Sequence, residues 1–129
     1  MTEANAKALA QAELARARSN LEAARMMLAA GKHGEAISLA YYASFHAVRA
    51  VLAARGLQPK THQGAVHLFN VSFVLPGLVT SEILALIGRS FAERQRADYD
   101  PVAIFTADDA AKEIDSAERV LITLAPLAG

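Results

Sequence analysis

Residues 34–55 read GEAISLAYYASFHAVRAVLAAR, and the period of this stretch decides the fold class. Ile37, Ala40, Tyr41, Ser44, Val48, Val51 and Leu52 recur at intervals of three and four, which places them on one face of an α-helix. Neither Gly nor Pro interrupts the run after Gly34, and Gly56 follows it as a helix-terminating residue. A second line, Ser38, Tyr42, His46 and Arg49, keeps the same spacing on a neighbouring face, so these side chains can touch. A plain core helix has no need of that polar and aromatic stripe.

Working outward, the segment from about Asn5 to Ala30 is rich in Ala, Leu, Arg and Glu, all strong helix formers. Leu14, Leu21 and Leu28 recur every seven residues, with Ala17 and Ala24 between them, a heptad-like stripe that Gly31 ends. Downstream, Pro59 disfavours helix at Gln58, and a third helix is expected over Thr61–Val74, closed by Pro76-Gly77. Thr80 or Ser81 can cap a fourth helix running to about Tyr99, with Ile83, Leu86, Ile87 and Phe91 as its apolar face. Thr106 and Asp109 resemble a capping box opening a fifth helix, which Pro126 stops. No stretch alternates as a strand; SFVLPGLV is β-like in composition but is broken by Pro and Gly. The expected architecture is all-α, an antiparallel four-helix bundle with an additional short helix, forming a single domain over residues 1–129.

Composition narrows the functional classes. The chain has 129 residues, 53% of them apolar and 20% charged, so it can build a core unaided. Thirteen basic and thirteen acidic residues cancel, so any nucleic-acid role must rest on a local patch and not on a global field. The absence of Cys removes disulfides, thiolate metal sites and a Cys nucleophile. The opening MTEANAKALAQAELARARSNL mixes both charges without an apolar core, unlike a signal peptide. No apolar run is expected to approach the ~18 residues of a membrane span. A cytoplasmic protein with no membrane partner is expected.

The remaining chemistry is concentrated in a few residues. Of the four His, His62 and His67 lie five apart, on different helix faces, and the Glu-x-x-His pairs of a bundle metal site do not occur, so no metal is expected. Phosphate-loop, dinucleotide and serine-hydrolase signatures are missing, and no cofactor is expected. The most unusual stretch is Glu93-Arg94-Gln95-Arg96-Ala97-Asp98-Tyr99-Asp100 at the end of the fourth helix. Arg94 and Asp98 are i, i+4 neighbours in the order that stabilises a helix less, worth a few tenths of a kcal/mol at best. A pair that contributes so little to stability is compatible with a binding role, and composition alone reads it as a solvated, charged helix end.

Three segments together, EAISLAYYASFHAVRAVLAARG, PKTHQGAVHLF and RQRADYD, resemble the HEPN domain family (higher eukaryotes and prokaryotes nucleotide-binding). The resemblance is closest to small prokaryotic members with a YYAxFHA helix and an R-x-x-A-D-Y helix end, and it spans about Ala24 to Leu124. It implies a helical bundle that pairs as a homodimer, often beside a minimal nucleotidyltransferase in a toxin–antitoxin-like pair. Many members of the wider family are metal-independent ribonucleases with an Arg-x4–6-His motif, whose Arg Arg94 matches. Here the chain departs from the pattern, because no His follows Arg94 and Asp98-Tyr99 stand in its place. Arg55 and His62 fit the count but straddle a helix end and a proline connector.

Three readings follow. In the first, the chain is a dimeric module that binds a nucleotide or RNA, or docks a nucleotidyltransferase. Arg94 and Arg96 would then meet phosphate, Tyr99, Tyr42 and His46 would line the site, and Asp98 would orient Arg94. The second is a metal-independent ribonuclease with Arg94 as charge stabiliser and His62 or His46 as proton carrier. The third is a purely structural helical dimer in which Arg94, Asp98 and Tyr99 lock the fourth helix.

Overall fold

A computed structural model describes residues 2–129. Five α-helices follow one another: α1 Glu3–Ala29, α2 His33–Ala54, α3 His62–Phe69, α4 Ser81–Tyr99 and α5 Ala107–Leu124. A π-helical turn, Asn70–Val74, extends α3, and a 3-10 turn, Ala125–Leu127, closes the chain. No strand occurs among the described residues. The all-α bundle expected from the periodicity is the one observed.

The helix ends follow the local chemistry. The Thr2 hydroxyl caps α1 by accepting from the Asn5 N–H at 3.0 Å. Gly31 takes φ +77° in the tight connection to α2, where an L side chain would be strained. The capping box of α5 is complete: Thr106 Oγ1 accepts from Asp109 N–H, and the Asp109 carboxylate accepts from Thr106 N–H. At α4 the expectation needs amending. Thr80 occupies the cap position, but its side chain makes no cap hydrogen bond. The third helix also departs from a uniform α-helix, widening to π geometry from Asn70. There Arg55 donates to the Ser72 carbonyl at 3.1 Å and stacks over Phe73, an anchor outside the helix that stabilises the wider turn.

α2 is the central helix, with 12 of its 22 residues buried. Ala36, Ala40, Ala43, Ala47 and Ala50 are fully enclosed, and such small side chains let neighbouring helices pack closely. α1 contributes Leu14, Ala17, Leu21 and Ala24, the expected stripe, while Leu28 is only partly buried. Ile83, Leu86 and Ile87 of α4 and Ile114, Ala117, Leu121 and Leu124 of α5 complete the core. Each large side chain so enclosed contributes about 2 kcal/mol of transfer free energy.

Long-range pairs show the antiparallel order. Glu13 meets His46 across α1 and α2, Ser38 meets Asp98 across α2 and α4, and Glu82 meets Arg119 across α4 and α5. Among the described residues α2 alone is long and apolar enough to cross a membrane, and 67% of that window is buried inside the bundle. That burial is the pattern of a core helix.

Candidate functional site

Pro101 fixes where α4 stops. The residue before a proline is pushed to extended backbone, and Asp100 adopts φ −98°, ψ 105°. Its carboxylate turns back to accept from the Val102 N–H at 3.0 Å. Arg94 and Asp98 therefore lie in the last turns of α4, facing the first half of α2.

Arg94 sits among four rings. Its guanidinium carbon is 5.0 Å from the centroid of Tyr41, 5.2 Å from Phe91, 5.6 Å from Tyr42 and 6.0 Å from Tyr99. Such contacts stabilise a cation by about 0.5–2 kcal/mol each when partly desolvated. One carboxylate completes the box: Arg94 Nη1 donates to Asp98 Oδ2 at 3.4 Å. The other Asp98 oxygen accepts from the Ser38 hydroxyl on α2. The Arg94 side chain is 14% exposed, and its Nε is buried without a hydrogen-bond partner. Burial works against the positive charge, but Tyr42, Asp98 and Tyr41 together hold the guanidinium above its ordinary pKa. The result is a permanently charged donor with unused hydrogen-bonding capacity.

His62 joins the same cluster from α3. Its ring stacks on Phe91 at 3.8 Å and 12°, and Nδ1 lies 2.5 Å from the Tyr41 hydroxyl. Burial and the Arg94 charge both hold the imidazole below its usual pKa, so it is neutral at pH 7. Burial pushes the Tyr41 hydroxyl up to about 12, against the pull of Arg94. Tyr41 therefore keeps its proton and links the guanidinium to the imidazole.

The structure brings together Arg94, Asp98, Tyr42, Tyr99 and His62. His46 goes elsewhere: its Nδ1 donates to Glu13 of α1 at 2.7 Å, and Arg49 approaches the same carboxylate at 3.4 Å. The polar stripe on α2 is thus divided, with Ser38 and Tyr42 toward α4 and His46 and Arg49 toward α1. Arg96 also leaves the site, pairing with Glu93 at 3.0 Å and lying over Phe105. It lines a separate cleft of about 420 Å³ between α4 and α5 with Glu93, Asp109 and Glu113. Arg55, bound to Ser72, does not join His62. No group of three or more metal-ligating side chains converges among the described residues.

Sequence reasoning assigned Tyr41 to the core and left Phe91 and Ser38 outside the site. A signal was present for Tyr41, because a Tyr at a fully buried register brings a hydroxyl that needs a partner. For Phe91 the signal was its i, i+3 spacing from Arg94, which puts the ring beside the guanidinium on one helix face.

The chain is 35% identical over 89 residues to a Methanocaldococcus jannaschii protein named "Putative toxin", an alignment covering 69% of this chain and 66% of that protein. That is just under two thirds of the relative's own length. It is 34% identical over 106 residues to a UPF0332 protein of Thermotoga maritima, covering 82% and 80% respectively. A second M. jannaschii protein with the toxin name is 31% identical over 85 residues, covering 66% and 58%. The model of the HEPN domain matches residues 10–125, nearly the whole bundle, and the chain belongs to the HEPN domain family.

Proposed function

We propose that this HEPN chain is the RNA-binding, toxin-like member of a two-component pair, acting as a homodimer with Arg94 as its phosphate contact. One observation carries the reading: a charged guanidinium boxed by four rings, with a single long carboxylate contact and a buried, unpartnered Nε. A planar cation with spare donors suits a phosphate oxygen. Tyr42 and the 72%-exposed Tyr99 offer rings on which a base can stack. The toxin names of two relatives support the two-component assignment. Tyr99, Val102 and Ile104 expose large apolar surface beside the site, which supports pairing of two copies there or docking of a minimal nucleotidyltransferase.

The test is fluorescence anisotropy with a labelled twelve-nucleotide RNA at low salt. Arg94→Ala should weaken binding at least about tenfold, the loss expected for a charge-assisted contact. Equal binding by wild type and variant would overturn the reading. Sedimentation at micromolar concentration checks the homodimer, and a clean monomer would remove it.

A second reading, metal-independent RNA cleavage, is favoured by the placement of His62 beside Tyr41 and within the field of Arg94. A neutral imidazole at pH 7 can accept the proton of an attacking 2′-hydroxyl. Cleavage in EDTA that is lost in both Arg94→Ala and His62→Asn would establish it. Intact RNA with wild-type protein would leave the binding module.

A further inference from the structure

We propose that Asp98 is a specificity-determining residue that selects the ligand by charge, admitting a singly charged internal phosphodiester and disfavouring the multiply charged phosphates of a free nucleotide. The inference rests on Arg94 being the phosphate contact. It follows from how Asp98 is held. One carboxylate oxygen faces Arg94 Nη1 at 3.4 Å, and the other is bound by Ser38 from a different helix. A carboxylate tied to α2 and α4 at once stays beside the guanidinium when a ligand arrives.

The charge of the site is therefore balanced. Arg94 contributes one positive charge, Asp98 one negative, and His62 and Tyr41 are neutral at pH 7. Asp100, two residues on, holds its carboxylate on the Val102 N–H. Asp98, Tyr99 and Asp100 also line a cleft of about 580 Å³ with Lys32, His33 and Glu35, whose formal charge is negative overall. A phosphodiester brings one negative charge and two non-bridging oxygens, which the remaining Arg94 donors can receive. Each extra charge on a phosphate terminus meets Asp98 without a second cation in the box. Ser38 thus acts as a positioning residue, through its hold on the carboxylate.

The experiment compares a twelve-nucleotide RNA ending in a 5′-hydroxyl, the same RNA with a 5′-phosphate, and ATP, bound to wild type, Asp98→Asn, Ser38→Ala and Arg94→Ala. Wild type should bind both RNAs equally and ATP at least about tenfold more weakly. Asp98→Asn should strengthen ATP binding about tenfold relative to RNA binding, collapsing the ratio. Ser38→Ala should shift the ratio in the same direction by a smaller factor, and it carries the test should Asp98→Asn lose its helical circular dichroism. An unchanged ratio in both variants, with RNA binding still lost in Arg94→Ala, would overturn the role of Asp98 alone. RNA binding unaffected by Arg94→Ala would overturn the underlying reading and this inference with it.

Discussion

The Tyr41 hydroxyl on α2 lies 2.5 Å from Nδ1 of His62 on α3, and the His62 ring stacks on Phe91 of α4. Three helices meet at one imidazole. Tyr41→Phe leaves that half-buried nitrogen without its partner and should cost about 1 kcal/mol, the usual contribution of a side-chain hydrogen bond. Urea unfolding measures it. A midpoint unchanged from wild type would show that the contact contributes nothing to the folded state.

His62 also makes stability depend on pH with a definite sign. Its folded pKa is below the ordinary 6.5 through burial and Arg94, so the unfolded chain takes up the proton first. Stability should fall as pH drops below about 6.5 and level off once the folded imidazole is protonated. His62→Gln should flatten that part of the profile. Thermal midpoints between pH 5 and 8 would reveal it, and parallel profiles for the two proteins would contradict the assignment.

Glu113 predicts the opposite slope. Burial in the α4–α5 interface, reinforced by Glu93, raises its carboxyl above the usual value, with Ser90 opposing the shift. A raised carboxyl favours folding below the unfolded pKa, and that contribution is lost as pH rises through the folded value. Glu113→Gln should therefore stabilise the protein at pH 7, and leave it unchanged or weaker at pH 4. A variant less stable than wild type at pH 7 would show that the carboxylate is satisfied as an ion.

Removal of the α5 cap should be felt locally. Thr106→Ala abolishes the hydroxyl that receives the Asp109 N–H and should cost about 1 kcal/mol. Hydrogen exchange in the first turn of α5 should accelerate, while α1 is unchanged. Uniform acceleration across all helices would mean that α5 does not open independently.

The bundle was legible because its signals are local. The interval of three and four in residues 34–55, the Leu14–Ala17–Leu21–Ala24 stripe and the Thr106–Asp109 box each act within one helix, and each appears in the structure. The i, i+4 placement of Arg94 and Asp98 was equally local and appears as a contact. What α2 and α3 bring to Arg94 was not legible, because Tyr41 and His62 reach it from other helices and their meeting depends on packing angles. The split of the Ser38–Tyr42–His46–Arg49 stripe has the same origin. One helical spacing says which side chains share a face, but Glu13 on α1 and Asp98 on α4 decide where each of them turns. The π turn at Asn70 was hidden because its anchor, Arg55, lies fifteen residues earlier across a loop.

The central claim is that the Arg94 guanidinium receives a phosphate, and its side-chain amide signals report on that group directly. We would titrate nitrogen-15-labelled protein with the 5′-hydroxyl twelve-nucleotide RNA and follow the arginine Nε–Hε resonances, assigning Arg94 from the spectrum of Arg94→Lys. The account predicts that the Arg94 signal moves in step with saturation, accompanied by backbone shifts at Tyr42 and Tyr99, while the Arg119 signal, paired with Glu82 on the far side of α4, stays in place. An Arg94 signal that does not move while the RNA binds elsewhere would contradict it.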